Sequence, residues 1–169
     1  MPEGLQPVVR RARATDIRAI RDLVRPFAES RVLVSKDAVT YYESLQEFRV
    51  AEVDGDLVGC GALHVMWEDL AEIRTLAVSP QAKGTGVGSI LLEALVQDAR
   101  DLGLRRLFCL TFELDFFARH GFAPIEGRAV SPEVYTELLR SYDEGVAEFL
   151  DLERVKPNTL GNTRMLRTL

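Results

Sequence analysis

Three glycines in five residues, Gly84-Thr85-Gly86-Val87-Gly88, separate an apolar strand-like run from an apolar helix-like run. Glycine admits positive φ and lets backbone N–H groups approach a ligand closely. A helix opening behind such a turn adds N–H groups without intrahelical acceptors and the positive end of its dipole. Residues 70–103 therefore read as a strand (Leu70 to Pro80), a turn (Gln81 to Gly88) and a helix ended by Gly103, with the turn forming a cradle for an anion, above all a pyrophosphate. Val87, Ile90, Leu91, Ala94, Leu95 and Leu102 recur at helical spacing as the expected buried face, opposite Glu93, Gln97 and Arg100. Along the strand, Ile73 and Leu76 are three apart and Leu76 and Val78 two apart. Keeping all three on the core requires a β-bulge near Arg74-Thr75.

Glycine-rich turns serve several phosphate-binding folds, and the letters discriminate among them. A Walker loop places lysine after its last glycine, whereas Lys83 precedes Gly84. A dinucleotide fingerprint needs Gly-x-Gly-x-x-Gly after the first strand of its unit, and here the spacing is Gly-x-Gly-x-Gly, halfway along the chain. Gln81-Ala82-Lys83-Gly84-Thr85-Gly86 instead resembles, position for position, the Gln/Arg-x-x-Gly-x-Gly/Ala motif of the GNAT superfamily of acyl-CoA-dependent N-acyltransferases. Leu76-Ala77-Val78-Ser79-Pro80 is similar to that superfamily's strand end. The resemblance implies an α/β (α+β) GNAT fold: a central mixed, mostly antiparallel twisted sheet, helices on both faces, and a splayed pair of parallel strands at the acyl-CoA site. It also implies acetyl-CoA as co-substrate, held by Leu76, Ala77, Val78, Lys83, Gly84, Thr85, Gly86, Val87, Gly88, Ser89 and Phe117.

Composition sets the outer limits. At 169 residues the chain is one domain's worth, 1–169, with residues 1–7 as a loose leader. A net charge of −5 argues against a nucleic-acid surface, and no run approaches the ~18 apolar residues of a membrane span. The start lacks the basic-then-apolar order of a signal peptide, so a cytoplasmic location is the default and Cys60 and Cys109, inside apolar runs, are expected as buried free thiols. A homodimer stays open. The arginines from Arg10 to Arg13 and from Arg18 to Arg25 read as a solvated helix face.

In chain order, Val8 to Ala12 reads as a strand, and Thr15 is placed to cap a helix carrying Ile17, Ile20, Leu23, Val24 and Phe27. A second helix is expected behind Ser35 through Val39, Tyr42 and Leu45, after an apolar connection, Arg31 to Val34. Asp54-Gly55 between two β-rich runs predicts a hairpin. Arg106 to Thr111 is a further strand, Asp115 to His120 a short helix stopped by Gly121, and Phe122 to Ile125 begins another strand. Ser131-Pro132-Glu133 opens one long helix over 131–150, and Arg164 to Leu166 reads as an edge strand.

Acyl transfer to an amine needs a base, since the amine is mostly protonated at neutral pH. A leaving thiolate of pKa near ~8.5 needs an acid less. Glu72, just before the expected bulge, is the candidate base. Many superfamily members carry a tyrosine acid where this chain has Phe117, so any acid is solvent, Tyr135, Tyr142 or absent. His64 and His120 stand in no metal spacing, and no metal is expected. Gly59 to His64, Ala71-Glu72-Ile73, Leu107 to Phe112 and Phe116 to Phe122 resemble the acetyltransferase domain of N-acetylglutamate synthases, in a short stand-alone form. That implies a small amino acid as partner, L-glutamate first and L-glutamine second, in arginine biosynthesis. Lys36 matches a basic position that binds substrate carboxylate in that family; Arg74, Thr111 and Arg164 complete the expected substrate set. The alternatives are another amine acceptor, such as a polyamine or a protein N-terminus, and a non-catalytic acyl-CoA sensor.

Overall fold

The computed structural model describes residues 6–30, 33, 36–158 and 161–169, so Ser35 and most of the Arg31 to Val34 connection lie outside the described residues. The strands are β1 (Val8–Arg11), β2 (Phe48–Val53), β3 (Asp56–Trp67), β4 (Leu70–Val78), β5 (Arg106–Thr111), β6 (Ala123–Pro124) and β7 (Thr163–Thr168). The helices are α1 (Ile17–Glu29), α2 (Ala38–Glu43), α3 (Val87–Asp101), α4 (Leu114–Arg119), α5 (Pro132–Leu138) and α6 (Glu144–Phe149). Among the described residues the strands form one sheet in the order β1, β2, β3, β4, β5, β7, β6. Its pairs are antiparallel at β1–β2, β2–β3, β5–β7 and β6–β7 and parallel at β4–β5, the mixed α/β architecture expected. No described helix is long and apolar enough to cross a membrane. The chain divides into two compact units, the first up to His64 with Ile73–Leu102, the second Val65–Glu72 with Gly103–Leu169.

In the first unit the β2–β3 hairpin closes as the sequence predicts. Asp54 and Gly55 both take positive φ (52° and 81°), the two-residue turn whose twist matches the strands it joins. Alternation along β3 then seats a helix on each face. Cys60 and Ala62 join Ile17, Ile20 and Val24 of α1 in a fully apolar cluster with Tyr41, Phe48 and Val50. Gly59 and Gly61 point the other way, beneath α3. A Cβ on Gly59 would lie 2.7 Å from Leu91 Cδ1, and one on Gly61 2.8 Å from Leu95 Cδ1, so missing side chains let helix and strand touch. The α3 face differs from expectation: Val87, Leu91, Leu92, Leu95, Val96 and Ala99 are buried, while Ile90 and Leu102 are exposed on its flank. Arg49 ties β2 to α3 through a two-pronged pair with Asp98, at 2.5 and 2.7 Å.

The N-terminal region corrects two expectations. Thr15 sits inside a short 3-10 turn and caps nothing; the Asp16 carboxylate accepts the Arg13 N–H at 2.7 Å and both prongs of Arg10 at 2.7 and 3.0 Å. Arg10 and Arg11 belong to β1, with Arg10 also reaching Glu52, so the first arginine cluster is not a helix face. The second helix starts later than expected, at Ala38 behind Asp37, and ends at Glu43 before a 3-10 turn at Leu45–Glu47.

The second unit packs around Met66, Leu70, Phe108, Leu138, Val146, Phe149 and Leu150, with Phe149 edge-on to Phe108 at 5.3 Å. The helix expected over 131–150 is two helices. Ser131 caps α5 as expected, accepting the Val134 N–H at 3.3 Å. Asp143 then accepts the Val146 N–H at 3.0 Å and Ser141 accepts the Asp143 N–H at 3.1 Å, so two short polar side chains take over backbone donors and start α6 afresh. Strand β7 is also not an edge strand: it lies between β5 and β6, and the two-residue β6 forms the edge.

Candidate active site

The glycine turn is built in two steps. A 3-10 turn at Pro80–Ala82 swings the chain off β4, and Gly84 and Gly86 then take φ of 79° and 89° with nothing within 4 Å of where a Cβ would stand. The open space shows that these glycines serve backbone conformation, not close packing against this chain. The Lys83 N–H donates to the Pro80 carbonyl at 3.4 Å and the Thr85 N–H to the Ala82 carbonyl at 3.2 Å, with the Thr85 hydroxyl on the same oxygen. Lys83 and Thr85 therefore donate into the turn itself, narrowing the expected backbone cradle. Helix geometry leaves the first-turn N–H groups of α3, beginning with Val87 and Gly88, pointing out of its N-terminus, and the first helical bond runs from the Ile90 N–H to the Gly86 carbonyl at 3.1 Å. Val87 is 1% exposed and pins this helix start to the core. Leu76 and Val78 pack with Val87 and Leu91, while Ala77 joins the α1 cluster.

The expected distortion of β4 lies at Thr75, a buried β-branched residue with φ of 54° inside a strand. Around it the first unit gathers three side chains. Lys36 Nζ donates to Thr75 Oγ1 at 3.1 Å and stands 6.0 Å from the centre of the Tyr41 ring, and the Cys60 thiol donates to the Thr75 carbonyl at 3.4 Å. Burial pushes the Cys60 thiol up to about 12, so it stays a neutral donor. Both cysteines are free and buried, as expected. Arg74 is half-buried beside Thr75.

A pair that sequence reasoning missed stands on the same face of β3 as Cys60 and Ala62. His64 Nδ1 lies 3.0 and 3.1 Å from the two oxygens of Glu47, which fixes the ring. His64 stands out in the sequence by residue type alone; Glu47, seventeen positions away in a 3-10 turn, carries no local mark of this pairing.

In the second unit Glu72 is 7% exposed at the last parallel pair of β4 with β5, Glu72 to Phe108. Its neighbour Cys109 has a thiol pushed up first by burial and then by the Glu72 charge. Thr111 is buried and its hydroxyl accepts the Glu113 N–H at 2.8 Å. Phe117 is buried edge-on between Phe116 and Phe122, at 5.1 and 5.2 Å, and His120 ends α4 with its ring 5.0 Å from Phe116. Arg164 does a structural job. Its Nε donates to the Glu148 carbonyl at 3.0 Å, and Nη2 donates to the carbonyls of Gly127 and Phe149, so it closes the C-terminal end of α6. Two of its three guanidinium nitrogens are thus engaged with backbone carbonyls of this unit. Among the described residues no three His, Cys, Asp or Glu side chains gather in a way that would hold a metal ion.

Comparison with known proteins adds identity to this geometry. The model of the acetyltransferase (GNAT) family matches residues 17–122. An amino-acid acetyltransferase of Mycobacterium tuberculosis is 57% identical over 171 residues, covering 99% of this chain and 98% of that protein. One from Neisseria meningitidis serogroup A is 40% identical over 116 residues, 68% of this chain but only 27% of its own length. Among solved structures, a Mycobacterium tuberculosis protein in complex with CoA and NLQ matches at a TM-score of 0.92 and 58% identity, over 96% of this chain and 99% of that one. N-acetylglutamate synthase from Neisseria gonorrhoeae, complexed with coenzyme A and N-acetyl-glutamate, matches at 0.78 and 29% identity, over 97% of this chain and 35% of that one.

Proposed function

This chain belongs to the acetyltransferase (GNAT) family, and from that premise we propose that it moves an acetyl group from acetyl-CoA to the α-amine of an amino acid, with L-glutamate as preferred acceptor and L-glutamine second. The observation that carries the reading is the turn at Gly84 and Gly86, whose positive φ angles and open surroundings present backbone N–H groups and the N-terminus of α3 to an anion. Those features fit a pyrophosphate. Gly84, Gly86, Val87 and Gly88 would hold it. Acetyl-CoA supplies an acetyl thioester whose thiolate leaves readily near neutral pH.

The chain's own residues have three tasks. Glu72 takes the proton that the acceptor amine must lose. Lys36, set on Thr75, meets the acceptor's carboxylate, since a carboxylate removed from water needs a cationic or hydrogen-bonding partner. Buried Phe117 excludes water and donates no proton, consistent with a leaving group that needs no strong acid. A route through an acetylated cysteine has no nucleophile to use, because burial keeps the thiols of Cys60 and Cys109 neutral. The proposed product, N-acetylglutamate, places the enzyme in arginine biosynthesis.

A thiol-release assay with acetyl-CoA against L-glutamate, L-glutamine and a polyamine tests the acceptor class. Release is expected with glutamate, more weakly with glutamine, and at background with the polyamine. Equal release with an amine that carries no carboxylate overturns the acceptor assignment and the role of Lys36.

A further inference from the structure

Thr75 is the strained residue of the first unit. A β-branched side chain at φ of 54° is a backbone outlier, persisting only where its surroundings hold it. Two neighbours do so from different elements. The Cys60 thiol on β3 takes the Thr75 carbonyl, and the Lys36 ammonium, ahead of α2, takes its hydroxyl at 3.1 Å. Threonine at this conformation would be a poor choice if only the bend mattered, because glycine reaches the same φ without strain. The hydroxyl is what glycine cannot supply.

We propose that Thr75 is a positioning residue for the acceptor: its hydroxyl, aimed by the left-handed backbone, fixes the Lys36 ammonium where it meets the substrate carboxylate. The inference rests on the assignment of Lys36 to that carboxylate. It gives the left-handed backbone at Thr75 in β4 a consequence for the substrate. A lysine on a flexible four-carbon stem loses much rotamer freedom when it is held in one place. An acceptor oxygen provided by the protein bears that cost before substrate arrives and lowers the cost of binding.

Steady-state kinetics of four variants test this, with melting temperatures measured alongside. Thr75→Val removes the hydroxyl and keeps the shape. Thr75→Gly removes the hydroxyl and relieves the strain, so it folds even if Thr75→Val does not. Thr75→Ser keeps the hydroxyl, and Lys36→Ala removes the ammonium. Thr75→Gly and Thr75→Val are expected to raise KM for glutamate about tenfold, the order of one charge-assisted hydrogen bond, with KM for acetyl-CoA unchanged. Thr75→Ser should restore the native KM, and adding Thr75→Gly to Lys36→Ala should cost nothing further, as expected for two residues acting through one contact. If Lys36→Ala raises KM for glutamate while Thr75→Gly leaves it at the native value, the positioning role is overturned and the role of Lys36 stands. If Lys36→Ala is itself silent, the carboxylate assignment and this proposal fall together. A Thr75→Ser variant as impaired as Thr75→Gly overturns the claim that the hydroxyl matters.

Discussion

Two pairs of glycines in the first unit, Gly59 with Gly61 and Gly84 with Gly86, are there for opposite reasons. Gly59 and Gly61 lie on β3 at backbone angles open to any residue, yet a Cβ on either would strike α3 within 3 Å. Gly84 and Gly86 lie in the turn before α3 at angles that other residues avoid, yet a Cβ on either would touch nothing within 4 Å. One pair makes room for a helix, and the other shapes the turn proposed to hold the cofactor. On that proposal packing and binding are separable in this unit, although both depend on the same helix.

Substitutions can test that separation, ordered here by size of effect. The chemical step provides the reference, since it uses neither pair. Glu72→Gln should lower kcat by ~10²–10⁴-fold, as for a lost general base, with KM for acetyl-CoA unchanged. Near-native turnover would return Glu72 to the status of a buried structural carboxylate. At the strand pair, Gly61→Val places branched carbon against Leu95 and Leu76 and should destabilise the fold by about 1–3 kcal/mol, read by urea denaturation. A native midpoint would show that α3 can lift off β3 freely, breaking the distinction. At the turn pair, Gly86→Ala should cost about 1–2 kcal/mol through backbone strain alone, because its Cβ meets nothing. A larger loss would mean that the turn packs against something after all.

The smallest effect belongs to the charged end of the same unit. Arg10 lowers the carboxyl pKa of Asp16 chiefly through their hydrogen bonds, so folding gains stability from this group above its unfolded value of about 3.9 and loses it as pH falls through the lowered folded value. Asp16→Asn should cost about 1 kcal/mol or less at pH 7. Its deficit against the native chain should shrink in denaturation curves taken below about pH 4. A deficit constant with pH would assign the effect to geometry instead of charge.

What the sequence disclosed follows the range of the interactions concerned. The Asp54-Gly55 hairpin, the helix behind the glycine turn and the distortion near Thr75 are written in adjacent residues and stand as expected. The break between α5 and α6 was also local, carried by Ser141 and Asp143, but the apolar spacing of Val134, Leu138, Val146 and Phe149 masked it. Apolar spacing alone also chose Ile90 and Leu102 for the buried side of α3, whereas the two glycines of β3 decide which stripe approaches the sheet. The pairing of His64 with Glu47, the closure of α6 by Arg164 and the placement of β7 inside the sheet join residues distant in the chain. Nothing in the neighbouring letters marks them.

Calorimetric titration of acetyl-CoA into the native protein, Gly86→Ala and Gly61→Ala, each below its melting temperature, tests the central claim most directly. If the turn glycines form the cofactor's cradle and the strand glycines only seat α3, Gly86→Ala should weaken binding at least about tenfold, a loss of about 1.4 kcal/mol, and Gly61→Ala should stay within about threefold of native. Native affinity in Gly86→Ala, or an equal loss in both variants, would contradict it.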